Sequence, residues 1–459
     1  MPMTRLLLSE PTAAHSARAS REVDVAGVAP SLLFALAAAA AGVVAQGGYY
    51  RSGQFLLGAL LALALGCAWV EGRVSMAYLR SPPFIGVATL GVWAIVCAAL
   101  AGDVGAATGW VSLAAAVITA LTLGRSVDPA ARELLIGGLL AIGIVVAATG
   151  WAGLAFRAEP WALEDPGLWR AASTLTYANA TAGLLVPLAL VALGWAVETR
   201  ASGLSAVACL LMIGVGETAS RGGLLALVIG GMALAALVGP ARFLRTMLAP
   251  GLGALVALAG LAPSMPADSP PRPLAAGLAL AVGVGIAWLG SHRPGAVLAI
   301  AATAAVVALA TSSSASNAFD GRINLSSWDR AHQVRAALDV AAARPLTGSG
   351  PGQAVIAWTA PDGRLLVARY AHNEYLQTLV ELGAVGFCMV VCAATSIARS
   401  IRRGRHGPLP RGVWAGVVAG LAALLVHSGL DFLWHVPVIA VAAALLAGSA
   451  IPPAHKEGT

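Results

Sequence analysis

The chain has 459 residues, of which 58% are hydrophobic and only 11% are charged. A soluble domain carries roughly 25% charged residues, so this composition excludes a soluble globular protein and favours a membrane protein. The formal net charge of +7 does not indicate nucleic-acid binding, because the arginines are spread along the loops and form no compact stripe.

Repeated apolar runs of about 20 residues predict about 14 membrane-spanning helices, or 12 to 13 if the short glycine-rich run at 204–216 does not span. The predicted fold is therefore an all-α polytopic membrane protein. The predicted spans begin near Val28, Phe55, Phe84, Val104, Leu134, Leu175, Leu204, Leu224, Met247, Leu274, Ala296, Thr378, Val413 and Leu433.

The chain divides into four predicted segments. Residues 1–25 are polar, lack the features of a cleavable signal and are predicted to form a cytoplasmic tail. Residues 26–172 hold the first transmembrane helices, and residues 173–440 hold the helices around one large hydrophilic loop at about 311–377. Residues 441–459 form the end of the last helix and a second cytoplasmic tail.

The distribution of arginine predicts the orientation in the membrane. Most arginines of the short loops, including the cluster at 399–411, lie on the cytoplasmic side if the N-terminus is inside. The large loop then faces outward, which in a bacterial inner membrane is the periplasmic side. Nucleotide-activated sugars are absent there, so chemistry on that side requires a lipid-borne or otherwise exported activated substrate.

The large loop is predicted to contain a surface helix. Ser326 and Asp329 have the spacing of a capping box, and Val334, Leu338 and Ala341 then recur at helical spacing. We expect an amphipathic helix along the membrane surface. The glycine run 348–352 predicts a turn, since it lacks the Lys-Ser/Thr of a phosphate-binding loop.

The segment 370–386 places His372 and Asn373 beside an apolar span. On a helix starting at His372, the side chains of Tyr375 and the glycines at 383 and 386 share one face, which predicts a glycine-lined groove below the histidine. Histidine is suited to act as a general base near neutral pH. The alternative is a histidine that only caps a helix at the membrane interface.

Two arginines could bind phosphate. Arg221 lies at the outer junction between two predicted helices, and Arg330 lies in the first turn of the loop helix. Arginine stays charged and binds phosphate oxygens through two parallel hydrogen bonds. The alternatives are an ion pair between Arg221 and Glu217, four residues earlier, and a solvated helix face for Arg330.

Further polar residues lie at the boundaries of later spans. Asn179 could hydrogen-bond a sugar or join two helices. His427 and Asp431 are four residues apart, so either an aspartate-oriented histidine or a helix cap is possible. A metal site would need a third ligand, which the sequence does not place, and the five cysteines fall inside apolar runs where thiols pack as small hydrophobes.

Together these segments resemble the O-antigen ligase and polymerase superfamily of bacterial envelope glycosyltransferases. The resemblance covers about residues 170–440 and is most specific in Ala371-His-Asn-Glu-Tyr-Leu-Gln, continued by Glu381-Leu-Gly. Ser220-Arg-Gly resembles the membrane arginine motif, and Arg330 with Pro345-Leu-Thr-Gly-Ser-Gly resembles the start of the periplasmic loop. Tyr177-Ala-Asn and His427-Ser-Gly-Leu-Asp-Phe resemble further family positions.

The resemblance implies a GT-C-like fold and transfer of a glycan from undecaprenyl diphosphate to a hydroxyl of a lipid, glycan or protein acceptor. It implies no cofactor, no metal and inversion at the anomeric carbon. The expected catalytic residues are His372, Arg221 and Arg330. The residues expected to contact substrate are Asn179, Asn373, Tyr375, His427 and Asp431.

The subfamily stays open between ligase, polymerase and protein O-oligosaccharyltransferase. A lipid-linked glycan flippase is the rival class, because about 14 helices suit such exporters. A transporter is expected to show paired half-repeats with interrupted helices, which this sequence lacks. A non-catalytic assembly scaffold is the third possibility, and it would not depend on Arg221 or His372.

Overall fold

The computed structural model describes residues 28–165, 167–290, 328–407 and 409–452. In these ranges ten helices are long and apolar enough to cross a membrane, and three shorter apolar helices accompany them. The predicted all-α polytopic fold is therefore confirmed. The span predicted near Ala296 and the predicted cap at Ser326 lie outside the described residues.

Fifteen α-helices follow one another within the described ranges, and the thirteen predicted spans that fall in these ranges begin within seven residues of an observed helix start. Several helices begin at a proline, whose fixed φ and missing N–H suit the first helical position. The helices are α1 (Pro30–Val44), α2 (Arg51–Val70), α3 (Met76–Leu79), α4 (Pro82–Leu100), α5 (Thr108–Ser126), α6 (Pro129–Phe156), α7 (Ala178–Thr199), α8 (Ser202–Glu217), α9 (Arg221–Val238), α10 (Pro240–Leu261), α11 (Pro273–Gly290), α12 (Trp328–Ala343), α13 (Glu374–Arg403), α14 (Arg411–Ser428) and α15 (Pro437–Ala450).

Helix α7 forms the centre of the bundle, and 89% of its most apolar 18-residue stretch is buried. It packs against α6, α8, α9 and α14. The contact with α14 brings the two backbones together, because a Cβ atom on Gly194 would lie only 2.3 Å from the carbonyl oxygen of Gly412. Small residues at such a crossing let two helices approach closely without a hydrophobic driving force between them.

Two antiparallel hairpins that the sequence analysis did not predict lie outside the helices. Strands β1 (Ala162–Asp165) and β2 (Leu168–Ala171) precede α7, and strands β3 (Ile356–Thr359) and β4 (Leu365–Ala368) precede α13. Each strand has only four residues, too short for a period-two pattern to be separated from loop sequence.

Helix α12 confirms the helix predicted in the large loop. Val334 and Leu338 of the predicted apolar face are 38% and 50% exposed, whereas Gln333 and Ala337 are buried, and the predicted contact with the membrane surface stays a prediction. The buried face packs against β3 and α13 together with Ile356 and Val380. The small Ala337 and the hydrogen-bonded Gln333 allow this close approach, which apolar periodicity alone does not reveal.

The predicted helix beginning at His372 and the glycine-lined groove below it are wrong. Helix α13 begins at Glu374, and it is kinked at Gly383, which has φ of +66°. A Cβ atom at Gly383 would lie 2.3 Å from the carbonyl of Leu346, and the N–H of Ala384 donates to the carbonyl oxygen of Pro345 (2.8 Å). The loop after α12 therefore fills the predicted groove.

The first residues of α7, α9 and α13 and the last residues of α14 meet at one end of the bundle, which we call the site end. Tyr177 contacts Asp431 there, His372 contacts Asp431 as well, and Gly222 packs against His427. These contacts bring together four segments that lie far apart in sequence.

Candidate functional site

Asp431 lies at the centre of the site end, in the turn between α14 and α15, with a side chain that is 1% exposed. Its Oδ1 atom contacts His372 Nδ1 at 3.1 Å and accepts from the N–H of Phe432 at 2.8 Å. Its Oδ2 atom accepts from the hydroxyl of Tyr177 at 2.7 Å and from the side-chain amide of Asn179. Four groups therefore surround one buried carboxylate.

These contacts hold Asp431 in its charged form. Burial alone raises the pKa of a carboxyl, but the hydrogen bond and charge of His372, with the hydrogen bonds from Tyr177 and Phe432, lower the pKa of Asp431 below its ordinary value. Burial and the Asp431 charge raise the pKa of Tyr177, so its hydroxyl stays protonated and donates. Asp431 is consequently an acceptor at neutral pH.

The charge on Asp431 determines the tautomer of His372. A carboxylate can only accept, so the contact at Nδ1 requires a proton on that nitrogen and leaves the lone pair of a neutral ring on Nε2. The side chain of His372 is 39% exposed, and its ring meets that of Phe432 edge to face with the centroids 5.0 Å apart. His372 is thus an accessible base with a fixed orientation.

The backbone at His372 adds to this evidence. Its φ is +48°, a left-handed conformation that residues other than glycine seldom adopt. Backbone conformations of this kind cost of order 1–3 kcal/mol and persist only where surrounding contacts enforce them. The contact with Asp431 and the helix start at Glu374 supply that constraint.

Arg170 supports the far side of this network. Its Nη2 atom donates to Asn179 Oδ1 at 3.0 Å, its Nη1 atom pairs with Asp165 Oδ2 at 2.8 Å, and its Nε atom donates to the carbonyl oxygen of Thr218 at 2.9 Å. One guanidinium therefore joins β2 to the start of α7 and to the turn that leads into Arg221. In the sequence, Arg170 does not differ from the other arginines of the short loops.

A second histidine–carboxylate pair crosses the first. Glu374 is fully buried, and its Oε1 atom contacts His435 Nδ1 at 3.3 Å and accepts from the N–H of Trp434. Burial lowers the pKa of a histidine, but the charge and hydrogen bond of Glu374 outweigh it and raise the pKa of His435. His372 contacts Asp431 and Glu374 contacts His435, so two histidine–carboxylate pairs join the same two segments.

Aromatic rings separate the two pairs. Phe432 stacks on Tyr370 with ring centroids 4.8 Å apart, and on Tyr177 at 5.2 Å. The ring of Tyr370 also lies 4.5 Å from that of His435. The chain around Phe432 is therefore packed on both sides, and His372 and His435 face different surroundings.

Two of the predicted substrate-binding residues have structural contacts. The carboxamide oxygen of Asn373 caps α13 by accepting from the N–H groups of Tyr375 and Leu376, each at 3.0 Å. The hydroxyl of Tyr375 donates to the carbonyl oxygen of Leu425 at 2.7 Å, which ties α13 to α14. Both residues shape the site end, and their substrate contacts stay a prediction.

Arg221 is the first residue of α9, and Ser220 caps that helix by accepting from the N–H of Gly223 at 3.2 Å. The neighbouring Gly222 packs against the ring of His427, which is buried in α14. The alternative pairing with Glu217 is not formed: that carboxylate is fully buried against Gly150, and neither of its oxygens has a hydrogen-bond partner among the described residues.

Arg330 lies in the first turn of α12 and is exposed. One turn later, Gln333 donates from its side-chain amide to the carbonyl oxygen of Tyr370 at 2.8 Å. This hydrogen bond attaches α12 to the chain at Tyr370, two residues before His372. The helix that carries Arg330 is thereby attached to the segment that carries the histidine.

The glycine turn after α12 has a structural role. The N–H groups of Ser349 and Gly350 donate to the carbonyl oxygens of Val380 and Glu381 at 2.8 and 3.1 Å, so they are not directed at an anion. Glu381 accepts from Trp110 Nε1 at 2.6 Å and from Gln377 at 2.7 Å, so its carboxylate joins α13 to α5. In the described ranges no group of three or more His, Cys, Asp or Glu residues could hold a metal ion.

The structure adds three residues to this network that were not predicted from the sequence, namely Arg170, Glu374 and His435. Spacing in the sequence could have indicated the pair of Glu374 and His435. Glu374 follows His372 by two residues, and His435 follows Asp431 at the other end of a short turn. No comparable local signal exists for Arg170, whose partners lie on three separate elements.

Comparison with known proteins supports one family. Residues 272–391 match the family model described as O-antigen ligase, over about a quarter of the chain. The matched part includes Arg330 and His372, whereas Arg221, Asn179 and Asp431 lie outside it. No curated protein matches the chain. The resemblance to the O-antigen ligase superfamily found in the sequence is confirmed.

Proposed function

Because residues 272–391 carry an O-antigen ligase domain in a multi-pass membrane protein, we propose that this chain transfers a glycan from undecaprenyl diphosphate to an acceptor hydroxyl. The reaction takes place at the site end of the bundle, on the periplasmic face of the bacterial inner membrane. The arginine distribution along the chain supports that orientation. The observation that carries the proposal is the oriented pair of His372 and the buried, charged Asp431.

His372 acts as the general base in this proposal. Its Nε2 atom accepts the proton of the acceptor hydroxyl while the hydroxyl oxygen forms a bond to the anomeric carbon of the donor glycan. The bond between that carbon and the diphosphate oxygen breaks, and undecaprenyl diphosphate leaves with the electron pair. Asp431 keeps the proton on Nδ1 and stabilises the imidazolium that forms, which is the usual role of a buried carboxylate beside a catalytic histidine.

Arg221 and Arg330 bind the diphosphate of the donor. Charge develops on the leaving oxygens as the bond breaks, and preorganised guanidinium groups stabilise that charge. In α9, Arg221 is next to Gly222, which packs against His427. In α12, which carries Arg330, Gln333 is hydrogen-bonded to Tyr370 in the segment of His372. Asn179 contributes by holding Asp431, and its second role toward a sugar stays a prediction.

The test uses purified protein in proteoliposomes with an undecaprenyl-diphosphate glycan and separate lipid, glycan and peptide acceptors. We compare His372→Asn with His406→Asn, an exposed histidine that follows α13 at its far end. Asparagine tolerates the left-handed backbone at position 372, so the loss is chemical and not a backbone effect. We expect transfer to fall by about 10²–10⁴-fold in the first variant and to stay unchanged in the second.

A matched pair of arginine variants tests the diphosphate site. Arg221→Gln is expected to lose transfer, whereas Arg399→Gln, an exposed arginine near the end of α13, is expected to keep it. Equal rates in His372→Asn and the wild type contradict the assignment of the base. Movement of the donor between leaflets without any transfer supports a flippase instead, and the acceptor that is used distinguishes ligase, polymerase and protein O-oligosaccharyltransferase.

A further inference from the structure

A second polar cavity lies at the end of the bundle away from the site end. It measures about 620 Å³ and is lined by residues at the ends of α7, α8, α9, α10, α11 and α14. Helices α7 and α14 connect it to the site end, where α7 carries Asn179 and α14 leads to Asp431. The cavity is therefore a helix length away from His372 and takes no part in the proposed transfer.

Four arginines line this cavity. Arg200 follows α7, Arg242 and Arg245 lie in the first two turns of α10, and Arg411 is the first residue of α14. All four are exposed, and in the part of the chain that the structure describes none of them forms an ion pair with a carboxylate. Four positive charges from three helix ends thus face one space.

Glu198 is the one carboxylate among the described residues that line the cavity, and it already has a partner. Its Oε2 atom accepts from the N–H of Gly412 at 2.8 Å, which satisfies one of the first N–H groups of α14. Four guanidinium groups and this carboxylate give a formal charge of +3. Helices α8 and α10 also begin here without a side-chain cap, and their N-termini add partial positive charge.

Phosphate is the anion that this arrangement suits. Arginine binds phosphate oxygens through two parallel hydrogen bonds and stays charged at physiological pH. A formal charge of +3 needs more than one phosphate for neutralisation. Pockets for small ligands usually measure about 300–1,000 Å³, so this cavity has room for a headgroup with two phosphates.

The cavity continues into an apolar surface of α10. Leu248 lines the cavity and is 37% exposed, whereas Leu244 and Leu255 on the same face of the helix are 64% and 65% exposed. Helix α10 is long and apolar enough to cross the membrane, so this face lies against lipid hydrocarbon. A ligand with acyl chains can contact both the arginines and these leucines, which a soluble anion cannot do.

We propose that this cavity binds the headgroup of an anionic phospholipid with two phosphates, of the cardiolipin type. The phosphates lie among Arg200, Arg242, Arg245 and Arg411, and the acyl chains lie along the leucines of α10. Basic pockets between membrane helices are suited to such headgroups. The bound lipid joins the ends of α7, α10 and α14, and it stabilises the folded protein by mass action. The inference does not depend on the proposed transfer.

The first variant is Arg242→Gln/Arg245→Gln, which removes two of the four charges. Both side chains are exposed and glutamine is nearly as good a helix former as arginine, so the variant is expected to fold. Arg402→Gln/Arg403→Gln is the matched control, because these exposed arginines end α13 at the same end of the bundle and do not line the cavity. Non-specific attraction to anionic lipid falls equally in both variants.

The second variant is Arg200→Gly. Arg200 has φ of +55° at the C-terminal cap of α7, a left-handed conformation that suits glycine. We expect this variant to keep or exceed the wild-type Tm without lipid and yet to bind the lipid more weakly. A loss of affinity in this variant is therefore not a loss of folding.

The probe is tetraoleoyl cardiolipin, titrated onto the full chain in a non-ionic detergent and followed by native mass spectrometry and thermal unfolding. We expect the Kd to rise roughly tenfold or more in Arg242→Gln/Arg245→Gln, because charge-assisted pairs are lost, and to change little in the control. The rise in Tm that cardiolipin gives should shrink in the same order. A wild-type Kd in both cavity variants, or an equal loss in the control, overturns the proposal.

Two further probes separate the possible sources of the phosphates. Inorganic pyrophosphate carries two phosphates without acyl chains, and phosphatidylglycerol carries one phosphate with them. We expect both to bind more weakly than cardiolipin. Pyrophosphate that binds as tightly as cardiolipin assigns the cavity to a soluble anion and contradicts the lipid. Phosphatidylglycerol that displaces cardiolipin at equal concentration contradicts the selection of two phosphates.

Discussion

His372 and His435 each contact a carboxylate across the same turn, but the two carboxylates differ in how completely they are hydrogen-bonded. Both oxygens of Asp431 have partners, from Tyr177, Asn179, Phe432 and His372. Only one oxygen of Glu374 has partners among the described residues, and the other is buried without one. A fully satisfied buried carboxylate rigidly orients its histidine, whereas a partly satisfied one costs stability and holds its histidine less well.

The two histidines differ in accessibility in the same direction. The His372 side chain is 39% exposed, whereas that of His435 is 21% exposed and its ring lies 4.5 Å from the ring of Tyr370. The two pairs therefore differ in burial and in hydrogen bonding although the same two segments form both. The proposed proton transfer depends on the first pair.

Among the variants that test the two pairs, Asp431→Asn is expected to reduce glycan transfer the most. The amide keeps the shape of the side chain but removes the charge that holds the proton on Nδ1 of His372. We expect transfer to fall by about 10²–10⁴-fold in proteoliposome assays. Asp362→Asn is the control, since that aspartate is exposed and pairs only locally with Arg364. An Asp431→Asn protein with wild-type kcat contradicts the role of the first pair.

Arg170→Lys is expected to have the next largest effect. A lysine has a single terminal nitrogen and cannot join Asp165, Asn179 and Thr218 as the guanidinium does. We expect kcat to fall by about tenfold through misplacement of Asp431, with little change in either KM. The pH profile of kcat should also shift, which a purely structural loss would not produce. Arg364→Lys on the exposed hairpin is the matched control.

Glu374→Gln tests the second pair. The substitution removes the charge beside His435 and keeps an oxygen that can accept from the N–H of Trp434. We expect kcat to change by no more than a few fold, because the rings of Tyr370 and Phe432 lie between His435 and His372. An effect on kcat as large as that of Asp431→Asn contradicts the assignment of proton transfer to the first pair.

The smallest expected effect is a pH dependence of stability. The pKa of His435 is raised in the folded protein, so its contribution is fully present below the ordinary histidine pKa of about 6.5 and is lost as the pH rises through the higher folded value. The Tm should therefore fall modestly from about pH 6 to about pH 8 in the wild type. His435→Gln should flatten this part of the curve, and a wild-type slope in that variant contradicts the origin of the effect.

Particular residues show how far the sequence predicts this site. The segment with His372 and Asn373 was identified because polar groups are costly beside an apolar span. The same reasoning predicted a glycine-lined groove, but the loop at Leu346 fills it. Helical spacing in the sequence does not reveal that Gly383 has a positive φ. The roles of Asn373 and Tyr375 as a helix cap and an interhelical tie were likewise hidden, because both depend on neighbours in three dimensions.

Composition and hydropathy by themselves determined that this chain is a multi-pass helical protein, because each span must satisfy its own backbone within the bilayer. They also located the segments that hold its polar residues. Only the tertiary structure decided which of those residues meet. Asp431 lies 59 residues from His372 and 254 residues from Tyr177, and such distant partners are joined by the packing of α7, α13 and α14. No local pattern records that packing, which arises from close backbone contacts between small residues.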